Sequence, residues 1–379
     1  MATSAVILSS GMVLTLREPA PPAAPTFSEL ALADASSDAA ALRLSAGILE
    51  QNAPADAAET AMLEGTVTLL TVQERALFRQ LPSAVSTATA TSATASGSAS
   101  APASGSASAS ATPSTPAPAT TADLLAGLVA SAAERLTDAQ EADGGTSRLL
   151  AAVGTGQLLE ATSLAAAAGV SLPEGALTVP PRATADAQAP RTSAPGPTAS
   201  ATPTATTAPA ESSATCQVPA SSGFTSALTA ALEVERQSDY AYQVALPRLT
   251  GGAAAQASTA WARHRELAAD AESMLARYCL EPPAPAPGYA LAADFFNNPA
   301  AGLGVLEAGA LPAYGDLVAF TDGAAREWAV QALLDTALRA QRWGTDPGPL
   351  PGLALETSAL PALPTDPASG SPAPVQPTP

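Results

Sequence analysis

The stretch "STAWARHRELAAD", residues 258–270, carries the only histidine of the chain. It contains no glycine or proline and is rich in alanine, so it reads as helix. At 100° per residue, Ala260, His264, Leu267, Ala271, Leu275 and Tyr278 fall on one face, while Arg263, Arg265, Glu266 and Asp270 fall on the flanks and back. His264 therefore points into a core. Its helix is expected from about Ala253 to Cys279, where "EPPAPAP" stops it.

Three neighbours share this pattern. A helix from about Ser222 to Leu249 ends at "TGG" and aligns Leu228, Leu232, Glu235, Asp239, Tyr242 and Leu246. A third, about Pro299 to Phe320, aligns Leu303, Glu307, Ala310, Tyr314 and Val318, and "TDG" turns the chain into a fourth, about Ala324 to Trp343. Four helices with a short turn inside each pair and one longer crossover make a four-helix bundle. Strand patterning is absent from this region.

Glu235, His264 and Glu307 sit at the centres of apolar faces, where ionisable groups are costly unless paired. Glu235 and His264 are spaced almost evenly about the turn near residue 251, so they should lie level within roughly 1.5 Å, one residue rise. Tyr242 and Tyr314 read as core residues whose hydroxyls find a carboxylate. No arginine falls on these faces, which makes His264 the main cation expected there. Its pKa should then stand above the ordinary value of about 6.5, because the carboxylates oppose desolvation. On the fourth helix, Asp335 and Arg339 lie one turn apart on the polar side and read as a surface salt bridge.

Composition narrows the classes. Of 379 residues 47% are apolar, but alanine supplies much of that and aromatics are only 4%, so the core must be thin per residue and built from long helices. A net charge of -18 argues against a nucleic-acid partner. All 16 basic residues are arginine, which removes Schiff-base and Walker-type lysine chemistry.

The chain alternates between helical pattern and low complexity. Residues 1–26 hold an apolar run, Ala5 to Leu16, too short for a bilayer span of roughly 20 residues. It reads as an export signal or anchor, or as a buried strand or short helix. Residues 27–82 read as two or three amphipathic helices and 122–180 as two more. These pieces are too small to stand alone and should pack together across the linker 83–121. A second Ala/Ser/Thr/Pro linker spans 181–214, the bundle 215–353, and a Pro-rich tail 354–379. Both linkers and the tail have compositions that cannot offset ordering entropy.

Cys216 lies upstream of the first bundle helix and Cys279 closes the second. About six residues reach up to roughly 20 Å, so the two can meet. A disulfide there would imply an oxidising compartment; the alternative is two free thiols in the cytosol.

Residues 222–353, through "ALEVERQSDYAYQ", "HREL", "LEAGALPAYGDLV" and "REWAVQALLDTALRAQRW…PLPGL", resemble an actinobacterial family of ferritin-like domains of unknown function. The segment "SRLLAAVGTGQLLEA" resembles the helical region that precedes this domain in the family. The resemblance implies a ferritin-like fold and is nearly silent on activity. Di-iron members of that fold use a Glu from each of two helices and Glu-x-x-His from each of the other two. Glu235 and Glu307 fit the lone glutamates and His264 the first histidine, but Trp261 stands three residues before it, and Asp335 is followed by Leu338.

The fold expected is thus all-α, a ferritin-like bundle preceded by an alanine-rich helical region. The function expected is a non-catalytic binding or structural module of the cell envelope, without cofactor, extracytoplasmic, associated with membrane or wall through its N-terminus and linkers, and able to pair as a homodimer. The alternative is an oxidase or storage domain holding one iron or manganese ion on Glu235, His264 and Glu307.

Overall fold

A computed structural model describes residues 24–53, 57–81, 120–180, 216–218 and 221–363. The linkers and the apolar N-terminal run lie outside the described residues, as does the tail beyond residue 363. The described residues form nine α-helices and no strand. They are α1 Phe27–Asn52, α2 Ala57–Gln80, α3 Thr121–Glu141, α4 Gly144–Ala168, α5 Phe224–Ala245, α6 Gly251–Arg277, α7 Ala293–Asn297, α8 Pro299–Phe320 and α9 Gly323–Arg342.

Local chemistry explains where the helices begin. Thr26 with Glu29 and Thr120 with Asp123 form reciprocal capping boxes on α1 and α3, each satisfying otherwise orphaned backbone N–H groups. Asp143 caps α4, and Asn298 caps α8 with Pro299 as its first residue. Gly169, in the left-handed region at φ 66°, ends α4. The last turn of the first bundle helix tightens into the 3₁₀ segment Leu246–Arg248.

Two helical hairpins, α1–α2 and α3–α4, pack together, and α4 lies between them and the bundle against α8 and α9. One hydrophobic core runs through both parts, from Leu32 and Leu77 through Leu150 and Leu158 to Leu228, Leu275 and Leu333. Helix α4 is buried on nearly all sides from Ser147 to Leu159. Its glycines let neighbours come close: a Cβ on Gly154 would stand 2.9 Å from the Ala132 carbonyl oxygen, and one on Gly156 2.6 Å from that of Pro349. Both α4 and α8 have the length and apolar composition of a membrane span; most of that stretch is buried against other helices in α4, and half of it in α8, where Val305 and Phe320 stay exposed.

The segment after α9 folds back over the N-terminal helices. Gln73 donates to the Pro349 carbonyl (2.9 Å), Arg148 to that of Gly352 (2.7 Å) and Arg75 to that of Pro361 (2.8 Å). Leu360 is buried. The Pro-rich stretch expected to form a tail from residue 354 is therefore held on the core as far as residue 361, because the N-terminal helices supply side chains that satisfy its carbonyls.

In the bundle, α5 and α6 form one antiparallel hairpin and α8 and α9 the other, joined by residues 278–298 with the short α7. Helix α5 packs on α6 and α8, and α8 on α9. The backbones of α6 and α9 stand further apart. Long side chains bridge that seam: Arg263 to Asp335 at 3.0 Å and the Trp328 indole to Asp270 at 3.1 Å.

Candidate functional site

The faces aligned in the sequence converge on a polar cluster in the middle of the bundle. Glu235 from α5, His264 from α6 and Glu307 from α8 are each 0% exposed. His264 Nδ1 lies 2.8 Å from Glu235 Oε2, and Nε2 lies 2.9 Å from Glu307 Oε1. With a carboxylate at each ring nitrogen, the ring is an imidazolium donating twice. Tyr314 donates to Glu235 Oε1, and Tyr242 to Glu307 Oε1 at 2.6 Å.

A further cation completes the cluster. Arg339 of α9, 6% exposed, places Nε 3.0 Å from both oxygens of Glu307, and its Nη2 donates to Thr336 Oγ1 at 2.8 Å. This corrects the expectation of a surface Asp335–Arg339 pair and of apolar faces without arginine. Asp335 is bonded instead to Arg263 and to Gln331 (2.7 Å), which leaves Arg339 to turn inward. An arginine stem is long enough to cross from the flank of a helix to its core side. The charge count was the available signal: two buried carboxylates facing one imidazole are short of one positive charge.

Electrostatics follow from this geometry. Burial alone would lower the His264 pKa, but Glu307 and Glu235 together outweigh it and raise it to about 8, so the ring is charged at neutral pH. Burial would raise Glu307, but Arg339 and His264 hold it down at about 2. Burial, then Glu307 for Tyr242 and Glu235 for Tyr314, pushes both phenols well above their usual range, so they stay neutral donors. Two carboxylates thus meet one imidazolium and one guanidinium, and the cluster closes near neutrality.

Nearby residues extend the network. Trp343, also missed in the sequence, donates from Nε1 to the Tyr242 hydroxyl at 2.8 Å. Trp261, where a di-iron pattern would have glutamate, donates from Nε1 to Asp239 at 2.7 Å. At the far end of the α5–α6 hairpin, Cys216 and Cys279 are joined in a disulfide with a Cα–Cα distance of 5.5 Å. Cys279 sits at φ 53°, an unusual backbone for a non-glycine residue.

The donor set does not fit a metal ion. A metal needs a ring-nitrogen lone pair, and both His264 nitrogens are committed as donors to carboxylates. All four oxygens of Glu235 and Glu307 already accept hydrogen bonds. The guanidinium of Arg339 supplies against Glu307 the positive charge that a cation would bring. No group of three or more His, Cys, Asp or Glu side chains has a metal-holding arrangement among the described residues.

No curated protein and no solved structure matches this chain. Residues 227–355 match the model of a family described as a domain of unknown function, DUF4439. That matched segment holds Glu235, Tyr242, His264, Glu307, Tyr314 and Arg339, so the whole ion network falls inside it.

Proposed function

We propose that this chain is a non-catalytic helical binding or structural module of the bacterial cell envelope. In this reading the bundle is a ferritin-like one, of the actinobacterial kind its sequence resembles, whose metal centre has given way to a salt-bridged core. The observation that carries the reading is Arg339 on Glu307, with His264 held between two carboxylates. Buried charges so paired gain most as devices of specificity: they fix the register of α5, α6, α8 and α9, since any slip strands a charge in the core. The disulfide supports an address outside the cytoplasm, where such bonds persist.

Elemental analysis of the full chain, purified without chelator, tests this reading. Iron and manganese should be far below one per chain, and added Mn²⁺ or Fe²⁺ should leave the melting temperature unchanged. Stoichiometric metal that disappears in His264→Ala would overturn it and restore a reduced ligand set of Glu235, His264 and Glu307.

A further inference from the structure

The ion network meets solvent at a cleft of about 410 Å³ in the seam between α6 and α9. Most of its exposed wall area is apolar, with Ala260, Leu338 and Trp343 contributing, and four charged side chains, Arg263, Asp335, Arg339 and Arg342, line it as well. That combination of a modest concave volume, an apolar body and a few convergent polar groups is what a small-ligand site requires.

Charge bookkeeping says which ligand. Arg263 is neutralised by Asp335 and also reaches Glu266 at 3.3 Å. Arg339 is neutralised within the buried cluster, but its Nη1 has no protein partner among the described residues and is not sealed from solvent. Arg342 has no hydrogen-bond or ion-pair partner among the described residues. Arg339 and Arg342 are three apart on one helix, so their side chains rise from neighbouring points of the same face. One uncompensated positive charge thus stands over an apolar cleft, in a chain of net charge -18 that would repel anions elsewhere.

We infer that the α6–α9 cleft binds a small organic monoanion, a carboxylate on an aliphatic or aromatic body, with Arg342 and the free edge of Arg339 on the carboxylate and Trp343 and Leu338 against the body. This gives the binding half of the proposed function a place and a ligand class. Guanidinium is suited to the task because its planar N–H groups match a carboxylate. Occupancy is also felt inside the bundle. Two cleft residues bond the buried cluster directly, Arg339 to Glu307 and Trp343 to Tyr242. A ligand that draws on Arg339 weakens its hold on Glu307, and His264, sharing that carboxylate, registers the change.

The test uses the full chain with octanoate as probe and octan-1-ol as its neutral counterpart, followed by calorimetry and by the imidazole NMR signals of the single histidine. Octanoate should bind saturably, shift the His264 signals on saturation, and outcompete octanol by at least about tenfold, the worth of one charged hydrogen bond. Arg342→Gln alters an exposed side chain outside the buried network and should weaken octanoate by about tenfold without changing stability. Thr259→Trp fills the cleft from an exposed position and should abolish binding with the melting temperature kept. Phosphatidylglycerol vesicles separate the free acid from a lipid surface: they should neither bind the protein nor compete with octanoate. No binding at millimolar octanoate, equal affinity for octanol, unchanged affinity in Thr259→Trp, or capture by vesicles instead would each overturn the inference. None of these outcomes bears on metal content, so failure here is distinguishable from failure of the metal-free core.

Discussion

Replacing Arg339 by leucine removes the guanidinium from a carboxylate that has no access to water. Glu307 would keep His264 and the Tyr242 hydroxyl as partners, but two buried carboxylates would then face a single imidazolium. Breaking a buried pair by deleting one partner costs about 3–5 kcal/mol, mostly because the other charge stays buried. The pKa of Glu307 reports the sum of Arg339, His264 and Tyr242 acting against burial. Held at about 2 against an ordinary 4.5, it corresponds to about 3 kcal/mol of stability. A depressed folded pKa means that this stability is present above 4.5 and is lost as pH falls through about 2. In Arg339→Leu, burial raises the Glu307 pKa and only His264 and Tyr242 oppose it. The deficit against the wild type should therefore be full at pH 7 and shrink as pH falls toward 4, where the variant can protonate the carboxylate. Urea denaturation followed by circular dichroism at the two pH values measures it. Arg339→Lys, which keeps the charge but loses the fork, should fall between the two, and adding Glu307→Gln to Arg339→Leu should recover part of the loss. A deficit below about 1 kcal/mol at pH 7, where a buried pair should count for several, would refute the reasoning. So would a deficit of the same size at both pH values.

An NMR titration of the single imidazole should give a midpoint near 8 in the folded protein; a folded-state value below 6.5 would mean a neutral ring and no ion-paired core. Because that pKa is raised, the pairing stabilises fully below 6.5, and about 2 kcal/mol should fade as pH rises through 8. Replacing both Cys216 and Cys279 by serine opens a loop with a sequence separation of 63 and should cost about 4 kcal/mol in the chain-entropy treatment, read as a drop in the urea midpoint. Gly315→Ala would put a Cβ 2.3 Å from the Gly352 carbonyl oxygen and should lose about 1–3 kcal/mol by calorimetry. Gly309→Ala, on the same helix with open space around it, should be neutral or gain about 0.5–1 kcal/mol.

Helical periodicity was enough to specify the bundle and most of its centre. The face running through Ala260, His264, Leu267, Ala271 and Leu275 is buried, with Tyr278 at its end half-buried, and the face of Leu303, Glu307, Ala310, Tyr314 and Val318 is buried throughout. The near symmetry of Glu235 and His264 about the hairpin turn brings their side chains within 2.8 Å, since a tight turn leaves two antiparallel helices little freedom to slide. The two pairs of N-terminal helices, too thin in apolar area to stand alone, were legible as pieces that must pack. Tertiary structure alone decided where they pack. Helix α4 is sheathed between its own hairpin and the bundle, and the chain after α9 crosses back to close over it, pairings that local pattern does not encode. It also decided the fate of Arg339. A helical wheel places Cβ atoms, not the ends of long side chains, and within α9 alone Asp335 is its obvious partner. Only when α6 brings Arg263 to Asp335 is Arg339 released to reach Glu307, and only then does the buried charge balance.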